Sequence, residues 1–112
     1  MKQELEIKNQ VKHILTLVKK FSPGKSVELR IPPYAAIQCI SGVTHRRGTP
    51  PNVVEMSAET LIKLLENPNQ WHEFCDLGLI SASGTNSNLT NLFLEVSKLM
   101  NSEVGSWYGK QI

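Results

Sequence analysis

The chain has 112 residues, of which 12 are Lys or Arg and 10 are Asp or Glu, for a formal charge of +2. So balanced a charge supplies no concentrated basic face for phosphate, and nucleic acid is not an expected partner. With 40% hydrophobic and 20% charged residues, the chain lies outside the composition range of disordered segments, and its length suits one core, so a single domain over residues 1–112 is expected.

The N-terminal helix comes first. From Lys2 to Phe21 the apolar residues Ile7, Val11, Ile14, Val18 and Phe21 recur at spacings of four and three, with Leu15 and Leu17 widening the stripe, which is an amphipathic helix. Lys8, Lys12 and Lys19 run along one border of that stripe. A basic amphipathic helix can lie on an anionic membrane, but a solvated flank of a core-packed helix is the commoner reason for such lysines. Pro23 and Gly24 end the helix, one for want of an amide donor and the other through its freedom to turn.

Val27, Leu29 and Ile31 alternate with Ser26, Glu28 and Arg30, the period-2 pattern of a strand with one buried face. After Pro32-Pro33 the run Tyr34 to Ile40 is apolar on both faces, as a more central strand would be, and the two strands read as a hairpin pair. Val43 to Asn52 is a loop by composition, and Val53 to Met56 resumes a short strand. Ser57 is placed to cap a helix from Ala58 to about Glu66, with Glu59 in its first turn and Leu61, Leu64 and Leu65 on its buried face.

Asn67-Pro68-Asn69 breaks that helix and starts a shorter one from Gln70 to Leu77, with Trp71, Phe74 and Cys75 on one face and Gly78 just past its end. Leu79 to Ser83 is a short strand. The polar cluster Thr85 to Asn88 then caps a last helix whose apolar face is Leu89, Leu92, Phe93, Val96, Leu99 and Met100. The tail, residues 101–112, shows no clear period. Helix, strands, two helices, a strand and a helix is α+β order, and a mainly antiparallel sheet with helices packed on one face is the simplest architecture.

Few residues suggest chemistry. His45-Arg46-Arg47-Gly48-Thr49 gathers potential cations, a hydroxyl and backbone donors, so His45, Arg46, Arg47 and Thr49 form a candidate anion site, against the plainer reading in which the arginines pair with Glu55 or Glu28. His72 and Cys75 stand three apart on a helix, but zinc needs three or four ligands, and only Cys39 with His13 or His45 remains to complete a set. Metal binding and a cofactor are therefore not expected. No nucleophile elbow, phosphate-cradling glycine run or zinc-protease helix is present in the sequence, and no catalysis is expected.

No apolar run approaches the ~18 residues that span a bilayer, so stable membrane insertion is not expected. Met1 to Glu6 lacks the apolar stretch of a signal peptide, and the expectation is a cytoplasmic protein whose Cys39 and Cys75 are free thiols.

Two segments are familiar. Arg30-Ile31-Pro32-Pro33-Tyr34-Ala35-Ala36-Ile37-Gln38-Cys39 and His45-Arg46-Arg47-Gly48-Thr49-Pro50-Pro51-Asn52-Val53-Val54-Glu55 resemble the bacterial sterol-carrier-like family. The likeness continues through Leu79 to Thr85 and into the helix opening at Leu89, covering about residues 27–96. The resemblance implies the fold of sterol carrier protein type 2, with a curved, mainly antiparallel five-stranded sheet, helices over one face and an apolar cavity between them. It implies binding of a lipid or other apolar small molecule without cofactor or catalysis. Related modules also serve as accessory domains of thiol-dependent enzymes.

On that footing the expected function is non-catalytic binding of an apolar small molecule, such as a fatty acyl chain or other lipid. Ile14, Val18, Phe21, Trp71, Phe74, Leu92, Phe93 and Val96 would line its site, and the His45–Arg47 loop with Thr49 would meet a head group. The rival expectation is a protein-interaction or accessory module, as a homodimer or with another protein, that has no cavity. An enzyme with an unfamiliar site around His45 and Cys39 is the third. A pocket starts near ~300 Å³, and at ~24 cal/mol per Å³ an empty one would cost about 7 kcal/mol, comparable with a domain's net stability. Such a pocket should be filled, collapsed or closed by a partner.

Overall fold

The computed structural model describes residues 2–42 and 50–108, with side chains described for residues 3–42 and 50–101. Its elements are α1 (Lys2–Phe21), β1 (Val27–Ile31), β2 (Ala35–Cys39), β3 (Asn52–Met56), α2 (Ala58–Glu66), a 3-10 turn (Pro68–Gln70), α3 (Trp71–Asp76), β4 (Ile80–Ser83) and α4 (Thr90–Tyr108). The element order is the expected α+β order, and the helix and strand types agree.

Among the described residues the sheet has four strands in the order β2-β1-β3-β4, and it is mixed. β1 pairs antiparallel with β2, β3 pairs antiparallel with β4, but β1 and β3 are parallel, with Leu29 beside Val54. This corrects the expected five strands to four among the described residues, and one of the three pairings is parallel where a mainly antiparallel sheet was expected. The physical reason lies in the connection after β2. β2 ends at Cys39 beside Val27, the starting end of β1, and β3 begins at Asn52 beside the same residue. By joining β1 rather than β2, β3 must run parallel to it. The two-sided apolar run of β2 also belongs to the outermost strand among the described residues, not a central one, and Ala36 is exposed there.

Alternation assigns the faces. Val27, Leu29 and Ile31 of β1 and Val54 and Met56 of β3 are buried, whereas Arg30 and Glu55 face solvent. Arg30 is paired with Glu28 on that open side. The buried face receives the stripe of α1 (Val11, Ile14, Leu15, Leu17, Val18), Leu61, Leu64 and Leu65 of α2, and Phe93 and Val96 of α4 in one apolar cluster. Each such side chain contributes about 1.5–3 kcal/mol on burial, which far exceeds helix propensity as the source of order in these helices.

Local chemistry sets the element ends. At the end of α1 the chain passes so close to β2 that a Cβ on Gly24 would sit 2.1 Å from the Ile40 carbonyl oxygen, so no side chain fits there. The Ile40 amide donates to Ser22 O at 2.8 Å, and Ser26 N donates to Ile40 O at 3.0 Å. Ser57 caps α2 as expected, its Oγ accepting from Thr60 N at 3.1 Å. Past α3, Gly78 adopts φ +76 while Gly78 N donates to Cys75 O and Leu79 N to Phe74 O, the left-handed closure that only glycine adopts without strain. α4 continues to Tyr108, beyond the apolar period. No proline intervenes, and extending an existing helix costs far less than starting one.

Candidate apolar ligand site

Of the residues expected to line an apolar site, Ile14 and Val18 of α1, Trp71 and Phe74 of α3, and Leu92, Phe93 and Val96 of α4 are all buried in the same cluster. They share one core, as the sequence patterning implied. Trp71 stacks on Phe93 with ring centroids 6.3 Å apart and planes inclined by 30°, within the range where aromatic pairs are favourable. Phe21 is the exception. It is 46% exposed, because it is the last residue of α1, where the chain turns away through Pro23 and Gly24 and the packed layer ends. It lies outside the buried cluster.

These side chains pack on one another. Neither of two surface recesses of ligand size is lined by any of them. One, of about 440 Å³, is lined by Asn69, His72, Asn88, Thr90 and Asn91. The other, of about 410 Å³, is lined by Glu4, Leu5, Lys8, Pro33 and Tyr34. Both open to solvent. The closed packing is the collapsed alternative that the cost of an empty cavity favours.

The candidate anion residues His45, Arg46, Arg47 and Thr49 lie outside the described residues. His72 is exposed and Cys75 half-buried on α3, and among the described residues no group of three His, Cys, Asp or Glu side chains could hold a metal ion. Both cysteines are free thiols. Burial pushes the Cys39 thiol up from 9.0 to about 11. The Cys75 thiol is raised by burial first and by the neighbouring Asp76 carboxylate second. Both keep their protons at neutral pH, the reverse of what a thiolate nucleophile requires. Among the described residues no helix is long and apolar enough to cross a membrane.

One organising residue escaped the sequence reading. Asn52, assigned to the end of a loop, is 2% exposed and opens β3. Its Nδ2 donates to Ser26 O at 2.9 Å, and its Oδ1 accepts from Asn86 N at 3.0 Å. Ser26, which alternation assigned to the solvent side, is also buried and donates its Oγ to Ile40 O at 2.9 Å. Asn52 thus ties the start of β1 to the turn before α4, and Gly84 lies against it, where a Cβ would come within 2.1 Å of Oδ1. A legible signal existed. Asparagine is disfavoured in strands, so one directly before Val53-Val54 hints at a side-chain role.

Comparison with known families decides the relationship. A family model described as "Bacterial SCP ortholog" matches residues 3–94. The chain belongs to this bacterial sterol-carrier-like family. The match begins inside α1, well before the familiar segments, so in this sterol-carrier-like chain the N-terminal helix is part of the family's common unit. No curated protein matches the chain.

Proposed function

We propose that this sterol-carrier-like domain is a cytoplasmic, non-catalytic binder of an apolar small molecule or lipid. Its site is the apolar layer between the sheet and α1, α3 and α4. The observation that carries this reading is the family match over residues 3–94, which spans the elements that contribute Ile14, Val18, Trp71, Phe74, Leu92 and Phe93 to one buried cluster. Flexible aliphatic and aromatic side chains on separate helices can part to admit an acyl chain and close again when it leaves, exchanging their mutual contacts for contacts with the ligand. The Arg46–Arg47 segment is assigned to the ligand's anionic head group by its charge. Nucleic acid has no place in this proposal.

The closed packing also favours a second reading, an accessory or interaction module that binds no small molecule. Native mass spectrometry of the protein purified from its own cells, followed by organic extraction, separates the two. A stoichiometric apolar compound supports the carrier, and a ligand-free monomer or dimer supports the module. Replacing Arg46 and Arg47 together with alanine should weaken binding of an anionic lipid, and unchanged affinity removes the head-group assignment.

A further inference from the structure

The helices over the sheet are not held down alike. α4 is tied to α2 by a hydrogen bond from Ser97 Oγ to Leu65 O at 2.8 Å, and the end of α1 is tied to β2 through Ser22 O and the Ile40 amide. The segment between α2 and β4 has no such tie. Among the described residues, the hydrogen bonds made by residues 68–78 stay within residues 67–79: Gln70 N to Asn67 O, Gln70 Nε2 to Glu73, Leu77 N to Glu73 O, Gly78 N to Cys75 O and Leu79 N to Phe74 O. What fastens the segment to the body is apolar burial alone, through Pro68, Trp71 and Phe74.

Its two ends are suited to turning. Asn67 leaves the helical region at φ −148 and ψ 84, and Gly78 sits at φ +76 with nothing within 4 Å of where a Cβ would be. Along the flank next to α4 the segment borders open space, the recess of about 440 Å³ between Asn69 and His72 on one side and Asn88, Thr90 and Asn91 on the other. A unit whose other hydrogen bonds are internal, attached by a few apolar side chains and bounded by two pivots, detaches at the cost of only the bonds that span those pivots, Asn67 N to Lys63 O and Leu64 O at one end and Leu79 N to Phe74 O at the other.

We propose that Asn67–Gly78 is a lid that opens as one unit, lifting Trp71 off Phe93 and admitting the apolar ligand to the face of α4 beneath. The ligand part rests on the carrier reading above; the opening itself does not. The lid explains how a tightly packed domain can take up a ligand. Only one short segment moves, while the sheet and the longer helices keep their hydrogen bonds.

Native-state hydrogen exchange over a series of low urea concentrations tests the opening. The amides of Asn67 and Leu79, whose bonds span the two pivots, should exchange at least about tenfold faster than those of Phe93 and Val96, with a much shallower urea dependence, as sub-global opening exposes little surface. Equal rates and equal slopes would overturn the lid. Stopped-flow binding of 11-dansylaminoundecanoic acid tests the access route on the wild type and on two variants of similar stability loss. Gly78→Ala strains the closed lid without a clash and should speed association about fivefold. Ser57→Ala weakens the cap of α2, outside the lid, and should leave association unchanged. Equal effects of the two variants, or none from Gly78→Ala, would overturn the access route. If the acid binds none of the three proteins, the carrier reading falls, and the exchange slopes still decide the lid.

Discussion

Asn52 is the position at which a small change should cost most for its size. Asn52→Ala removes two hydrogen bonds, to Ser26 O and from Asn86 N. It leaves the Asn86 amide without its partner and Ser26 O with only the backbone amide of Asn52, at 3.3 Å. A net loss of about 0.5–1.5 kcal/mol per bond, plus part of the cost of an unmet donor, gives about 2–4 kcal/mol, a large share of the ~5–15 kcal/mol that holds a domain together. Asn52→Asp carries a sharper signature. It keeps the oxygen facing Asn86 N but turns the donor toward Ser26 O into a second oxygen, on a side chain 2% exposed. Burial and the facing carbonyl raise such a carboxyl above its usual ~3.9. Because the folded-state value is raised, the folded form is favoured below the unfolded value and loses that advantage as pH rises through the folded one. Urea unfolding followed by circular dichroism at pH 3.5 and pH 7 measures both variants against the wild type. The Asp deficit should widen toward pH 7 while the Ala deficit stays constant. An Ala variant within 0.5 kcal/mol of wild type, or an Asp deficit the same at both pH values, would refute the role given to Asn52.

Three other outcomes are expected. The Cys39 thiol rises from 9.0 to about 11 on folding, so its contribution is complete below pH 9 and is lost as pH rises toward 11. Wild type should lose roughly 2–3 kcal/mol over that window, and Cys39→Ala should flatten this part of the stability curve in alkaline urea titrations. Phe93→Ala removes a fully buried ring that stacks on Trp71 and should cost about 3–5 kcal/mol in equilibrium unfolding. Ser57→Ala should cost about 1 kcal/mol through loss of the α2 cap, and Ser57→Asp should restore most of it.

Much of this protein was legible locally. The stripe from Ile7 to Val18 placed α1, the alternation from Val27 to Ile31 placed β1, Ser57 placed the start of α2 and Gly78 the end of α3, because each is governed by neighbours within a turn or a pleat. The proline-bearing segments around Tyr34 and Val53 marked the family, and all but one of the apolar residues singled out for the ligand layer lie in the buried cluster. Phe21 was misplaced because periodicity says which side of a helix a residue occupies and not where the packed layer stops.

The sequence by itself determined the order and type of the elements and most of the side chains that share the core. Only the tertiary structure decided that β3 lies beside β1 and parallel to it, that Asn52 bridges Ser26 and Asn86, and that residues 68–78 cover α4 without a hydrogen bond to the elements around them. Hydrophobic pattern is a statement about burial, which is non-directional and indifferent to the partner. Strand neighbours and buried polar pairs depend on directional hydrogen bonds between residues far apart in the chain, and those exist only once the fold has brought them within reach.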